Sequence, residues 1–211
     1  MSGTKTPAEA SAPDGVDEIA TLRIELRDTD PLIWRELEIP TSITLRELHQ
    51  IVQIAMGWLN AHLWEFAIRG QRYGSPVDAG WGAAPQRSAA KVRLRELLTP
   101  RRTTIDYTYD FGDSWEHRLI ITRVRPGALG VGYPRYLAGE WNGPPEDCGG
   151  IPGFYRVLEV LADADHPDHD EVTDWLGEYD PKVIDEVRLK FALARIANRR
   201  AAGRKRSGKV G

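Results

Sequence analysis

A single cysteine, Cys148, stands in the 211 residues, so no internal disulfide can form and the fold must hold by packing. No apolar run approaches the ~20 residues that a bilayer-spanning helix needs, so no membrane segment is expected. The stretch from Met1 to Gly15 has no apolar core of the kind a secretory signal requires. Charge of one sign is also lacking. A net −3 exerts no global pull on nucleic acid or on an anionic membrane. With one unpaired thiol and no export signal, the expected compartment is the cytoplasm.

What is present is an ordinary globular composition, with 41% hydrophobic and 28% charged residues. Tryptophan is the exception. Seven of them run from Trp34 to Trp175, and each needs cover, so a folded body should extend over most of the chain. Residues 1–17 are rich in Ala, Ser, Thr, Pro and Gly and are expected to be a disordered tail. Residues 199–211 are basic and are expected to fray as well. A single domain is expected over 18–198, with its loopiest stretches at Gly74–Ala90 and Pro126–Gly150.

Leu22, Ile24 and Leu26 alternate with Arg23, Glu25 and Arg27, the signature of a half-buried strand. The turn residues Asp28-Thr29-Asp30-Pro31 follow, and Ile33, Leu37 and Ile39 share a face beyond them, which makes a hairpin. Thr44 and Glu47 form a capping box, with Ile43 and Leu48 placed as a staple. Leu45, Leu48, Val52, Ala55 and Met56 follow at helical spacing, and Gly57 supplies the C-terminal cap. Leu63–Ile68 reads as another strand. Thr104–Tyr109 and Trp115–Val124 make a second hairpin, with Trp115, His117, Leu119 and Ile121 on one face. Three helices are expected afterwards: Phe154–Leu161, one capped by Asp168 and ending near Gly177, and one opened by Asp180-Pro181 that runs to about Asn198. Hairpins first and helices later predict an α+β fold: a mainly antiparallel sheet of two hairpins plus a strand, one helix after the first hairpin, and C-terminal helices packed on the sheet.

Three strings carry a resemblance. They are Gly57-Trp58 with His62-Leu63-Trp64-Glu65-Phe66, then Tyr109-Asp110-Phe111-Gly112-Asp113-Ser114-Trp115-Glu116-His117, and then Pro144-Pro145-Glu146-Asp147-Cys148-Gly149-Gly150. Trp175 and Tyr179-Asp180-Pro181 follow downstream. In this order they resemble the Ri-plasmid ORF-three-like family, insertion-element passenger proteins, over about Ile19 to Ile196. The resemblance implies an α+β fold, a bacterial or archaeal source and carriage on mobile elements, and it implies no particular activity. Resolvase chemistry, which the family label at times suggests, needs a nucleophilic serine in an arginine-rich N-terminal site. Ser2 and Ser11 lie instead in the expected disordered tail. The resemblance also implies cysteines at the positions of Tyr136 and Gly143, which with Cys148 and a histidine would make a zinc set. Two of those three thiols are missing here.

Candidate chemistry concentrates in the same strings. Asp110, Asp113 and His117 surround one tight turn: they suit a divalent metal or acid–base work, or equally carboxylates that brace a turn. Glu146, Asp147 and Cys148 read as a ligand or nucleophile loop, or as a buried thiol beside helix-capping acids. His62 could join either group. The run His166-Pro167-Asp168-His169-Asp170-Glu171 fits the start of a helix better than a metal site. Trp58, Trp64, Tyr109 and Trp115 could line an aromatic cleft for a peptide or small ligand, or close into a core. Arg199, Arg200, Arg204, Lys205 and Arg206 could meet nucleic-acid phosphates, or simply suit the C-terminal end of a helix. The first expectation for function is a non-enzymatic binding or accessory module with a protein or nucleic-acid partner. The alternative is a metal-assisted hydrolase that uses Asp110, Asp113, His117 and Glu146.

Overall fold

A computed structural model describes residues 17–74 and 87–207. Eight strands form one sheet: β1 (Glu18–Leu26), β2 (Trp34–Pro40), β3 (Trp64–Ile68), β4 (Gln71–Gly74), β5 (Arg87–Ser88), β6 (Thr103–Tyr109), β7 (Trp115–Pro126) and β8 (Arg135–Glu140). The spatial order is β5-β4-β3-β6-β7-β1-β2-β8. Every pairing is antiparallel except β4 with β5. Four α-helices complete the fold: α1 (Leu45–Met56), α2 (Gly150–Ala162), α3 (His169–Leu176) and α4 (Glu186–Ser207). The class is α+β. None of the helices among the described residues is long and apolar enough to cross a membrane.

The first hairpin forms as its alternation predicts. Leu22, Ile24 and Leu26 of β1, with Ile33, Leu37 and Ile39 in and beside β2, are all at most 1% exposed. The parity of the second strand has one consequence that its apolar residues conceal. Position 35 also faces inward, so Arg35 is 1% exposed. The second hairpin buries Ile105, Tyr107 and Tyr109 on β6 and Trp115, His117, Leu119 and Ile121 on β7. Glu116, one residue out of phase, keeps half of its side chain in solvent.

α1 is the helix its sequence dictates. Glu47 N–H donates to Thr44 Oγ1 at 3.2 Å, and Thr44 N–H donates to Glu47 Oε2 at 2.8 Å, so both halves of the box are made. Gly57 ends the helix at φ 85°, a left-handed position that only glycine adopts without strain. Leu189, Leu193 and Ile196 of α4 join the same core as α1 and the sheet.

Three expectations need correction. The stretch 126–150 is not all loop, because β8 pairs with β2 inside it. Asp180-Pro181 does not open the last helix. The Asp180 and Pro181 carbonyls accept from Asn142 instead, and α4 starts five residues later, with Asp185 Oδ1 accepting from Arg188 N–H at 2.9 Å. The chain also does not fray at 199. α4 continues to Ser207, Arg200 bonds Glu47 Oε1 at 2.9 Å and Ser42 Oγ at 2.7 Å, and Arg204 pairs with Asp17. The expected N-terminal tail, apart from Asp17, and most of the Gly74–Ala90 stretch lie outside the described residues.

Candidate metal centre

Three chain segments meet at one end of the sheet: the exit from α1 (57–62), the β6–β7 turn (110–114) and the 144–150 loop. Each is pinned to another. Trp58 Nε1–H donates to Pro144 O at 2.9 Å. Leu59 N–H and the Tyr109 hydroxyl each donate to Glu146 Oε1 at 2.8 Å. Tyr109 Oη in turn accepts from Ala61 N–H at 3.0 Å. Burial and the bond to Glu146 raise the Tyr109 pKa, so the phenol stays protonated and keeps donating. The turn and the loop close on one another where Gly149 N–H donates to Asp113 Oδ2 at 3.1 Å. A Cβ on Gly150 would meet Asp113 O at 2.6 Å, so only glycine allows this approach.

His62 sits at the junction. Its Nε2 is 3.0 Å from Asp147 Oδ1, 3.5 Å from Glu146 Oε2 and 3.7 Å from Asp110 Oδ2. That nitrogen is buried, yet it has no hydrogen-bond partner among the described residues. The carboxylates show a division of labour. Glu146 uses Oε1 for its protein donors and Asp110 uses Oδ1 for Gly112 N–H at 2.9 Å. The second oxygen of each faces His62 instead.

The spacing suits a small cation. Ligands about 2.1 Å from an ion stand about 3.4 Å apart in a tetrahedron and about 3.0 Å apart in an octahedron. The three separations from Nε2 bracket those edges. The ligand atoms of His62, Glu146 and Asp147 all lie within 4.8 Å of one another. Carboxylates gathered this closely repel one another unless a cation or N–H donors compensate.

Not every expected residue takes part. Asp113 is used as the loop's acceptor. His117 is fully buried in the sheet's core, edge-on to Trp58, with Nδ1 3.0 Å from Trp115 O. Burial lowers its pKa to about 4, so it is neutral at physiological pH. The set Asp110, Asp113, His117 and Glu146 therefore does not converge. Cys148 lies in the loop, where burial, aided by Asp113 and Asp147, pushes its thiol up to about 12. A protonated thiol is neither a nucleophile nor a ready ligand. A three-thiol zinc set has no room here either, because a Cβ at Gly143 would lie 2.0 Å from Met56 O.

The aromatic residues pack chiefly on each other, and Trp58 also lines a cleft. Trp58 stacks on Tyr109 with centroids 5.0 Å apart and lies 5.8 Å from Trp115, and Trp64 stacks on His49 at 3.9 Å. All four are at most 8% exposed. In the basic segment, Arg200 and Arg204 are engaged within the chain and Arg199 is exposed, while the side chains of Lys205 and Arg206 lie outside the described residues. His166 works at the start of α3, its Nδ1 accepting from Asp168 N–H at 3.1 Å.

One cleft escaped the sequence reading. It lies between the end of α1, the 142–146 segment and the α3–α4 region, and Arg35 and Tyr179 line it. The parity of β2 was the available signal, since Arg35 falls in phase with Ile33, Leu37 and Ile39.

Comparison with known proteins agrees with the motifs. Residues 18–188 match a family model described as plasmid pRiA4b ORF-3-like protein. The uncharacterized protein y4hQ of Sinorhizobium fredii (strain NBRC 101917 / NGR234) is 35% identical over 188 residues, 84% of this chain and 96% of that one. The crystal structure of a protein of unknown function from Methanosarcina mazei Go1, MM3350, is similar at TM-score 0.73 and 31% identity, covering 81% of this chain and 97% of that chain.

Proposed function

The chain belongs to the plasmid pRiA4b ORF-3-like family, and we propose that it acts as a binding module organised by a divalent cation on His62, Glu146 and Asp147, with Asp110 beside them. The observation that carries this is the buried Nε2 of His62, which lacks a hydrogen-bond partner among the described residues and faces three carboxylates. Here Glu146 and Asp110 each turn one oxygen to the histidine. One imidazole with carboxylates suits a first-row ion such as zinc or manganese. The ion would tie the loop of Glu146 and Asp147 to the α1 exit and the hairpin turn, fixing a surface for a partner. A binding role fits better than hydrolysis, because Asp113 and His117 serve the fold and Cys148 keeps its proton. Carriage on a plasmid or insertion element and a cytoplasmic location belong to the same reading.

Elemental analysis of protein purified without chelator tests the proposal. Close to one equivalent of zinc or manganese is expected in the wild type, and under a tenth of that in His62→Ala and in Glu146→Gln. Equal metal content in all three proteins would refute it.

A further inference from the structure

The second site is the cleft beside the cation cluster, and its volume of about 520 Å³ falls within the range of small-molecule sites. Its inner side carries Arg35, which is 1% exposed. Nε–H of Arg35 donates to Ala55 O at 2.9 Å, and Nη1 donates to Trp34 O at 2.8 Å and Glu140 O at 3.1 Å. Those bonds use three of the five N–H donors, and the two on Nη2 have no bond among those described. All three acceptors are neutral carbonyls. A buried arginine is normally paired with a carboxylate, but Arg35 makes no ion pair among the described residues. Burial brings its pKa down only to about 10, so it remains a cation at neutral pH.

The charge reverses elsewhere in the lining. Glu146, Glu178 and Asp185 line the cleft, with Arg188 as the one further cation. Trp58, Met56, Ile184 and Leu189 add apolar wall. A ligand that is only anionic would satisfy Arg35 but meet three carboxylates against one arginine. A ligand that is only cationic would leave Arg35 buried without a counter-charge. A molecule with both charges and an apolar body satisfies the whole lining.

We propose that this cleft binds a small zwitterion of the α-amino-acid type, with its carboxylate on Arg35, its ammonium group by Glu178 and Asp185, and its apolar side chain against Trp58 and Leu189. With Nε and Nη1 committed to carbonyls, Nη2 can give the carboxylate a charge-assisted N–H bond. The inference does not rest on the cation at His62, although the two sites share Glu146.

The test is calorimetry on the full chain in the presence of chelator, so that failure of the cation reading cannot obscure it. Three probes separate the charges: L-phenylalanine carries both, N-acetyl-L-phenylalanine only the carboxylate, and L-phenylalanine amide only the ammonium. Phenylalanine is expected to bind about tenfold or more tighter than either derivative, the effect of one lost charged contact. Arg35→Met should abolish binding. Because a buried arginine also holds α1 to the sheet, Ala192→Trp is the second variant: it fills the cleft from α4, and it should fold normally and lose binding. Absence of heat from all three probes up to about 10 mM, weaker than any specific small-ligand site, would overturn the proposal. Equal affinity for phenylalanine and its amide, or unchanged binding in a folded Ala192→Trp protein, would overturn it too.

Discussion

Gly150→Ala tests whether the hairpin turn and the 144–150 loop are locked together. Two costs combine at this position. Gly150 has φ 68°, where a residue with a Cβ is strained by about 1 kcal/mol. The added Cβ would lie 2.6 Å from Asp113 O, a contact with backbone that cannot rotate away. Forcing such a contact apart adds about 2 kcal/mol. The total is about 3 kcal/mol, which in a domain of this size lowers the melting temperature by about 9 °C. Gly57→Ala is the control. Its φ is 85°, but nothing lies within 4 Å of its Cβ, so only the strain of about 1 kcal/mol applies. Urea unfolding of both variants gives the difference directly. The displaced loop should also weaken metal uptake in Gly150→Ala and leave it nearly intact in Gly57→Ala. Equal destabilisation by the two substitutions would refute the close approach of Gly150 to Asp113.

Trp115→Ala should lose about 3–5 kcal/mol by leaving a cavity, while Glu116→Ala loses almost nothing, as urea unfolding will show; similar losses would mean the β7 register is wrong. His49 and His117 are buried with pKa values lowered to about 4 from an ordinary 6.5, so the unfolded chain binds protons that the native chain does not as pH falls through that window. Stability should therefore be full above about pH 6.5 and fall by about 3 kcal/mol per histidine by pH 4, and His117→Gln should flatten the profile measured by denaturant titration. Cys148, with its thiol at about 12, carries about a thousandfold less thiolate than an ordinary cysteine at 9.0, so a disulfide reagent at pH 8 should modify it slowly in the native state and at once in urea.

The sequence carried the elements whose signals are local. The Thr44–Glu47 box, the glycine stop at 57 and the alternation through Trp115–Ile121 are written within a few residues of where they act. β8 was hidden because Arg135-Tyr136-Leu137-Ala138-Gly139-Glu140 has no clean alternation; it becomes a strand by pairing with β2, a partner far away in sequence. The start of α4 was misplaced because Asp180-Pro181 has the chemistry of a helix start, while its carbonyls are claimed by Asn142 across the fold. The site divides the same way. His62, Asp110, Glu146 and Asp147 were legible as polar residues in unusual strings, whereas the placing of His117 in the core follows from strand parity, which puts it in phase with Trp115 and Leu119. Arg35 obeys the same parity on β2, and an arginine amid apolar residues gave no composition signal of its own.

The most direct test of the cation site is a cobalt(II) titration of chelator-stripped protein followed by visible absorption. A band that saturates at one equivalent, is displaced by zinc and is missing from His62→Ala is the predicted result. Absence of a saturable band in the wild type, or the same band in His62→Ala, would contradict a cation held by His62, Glu146 and Asp147.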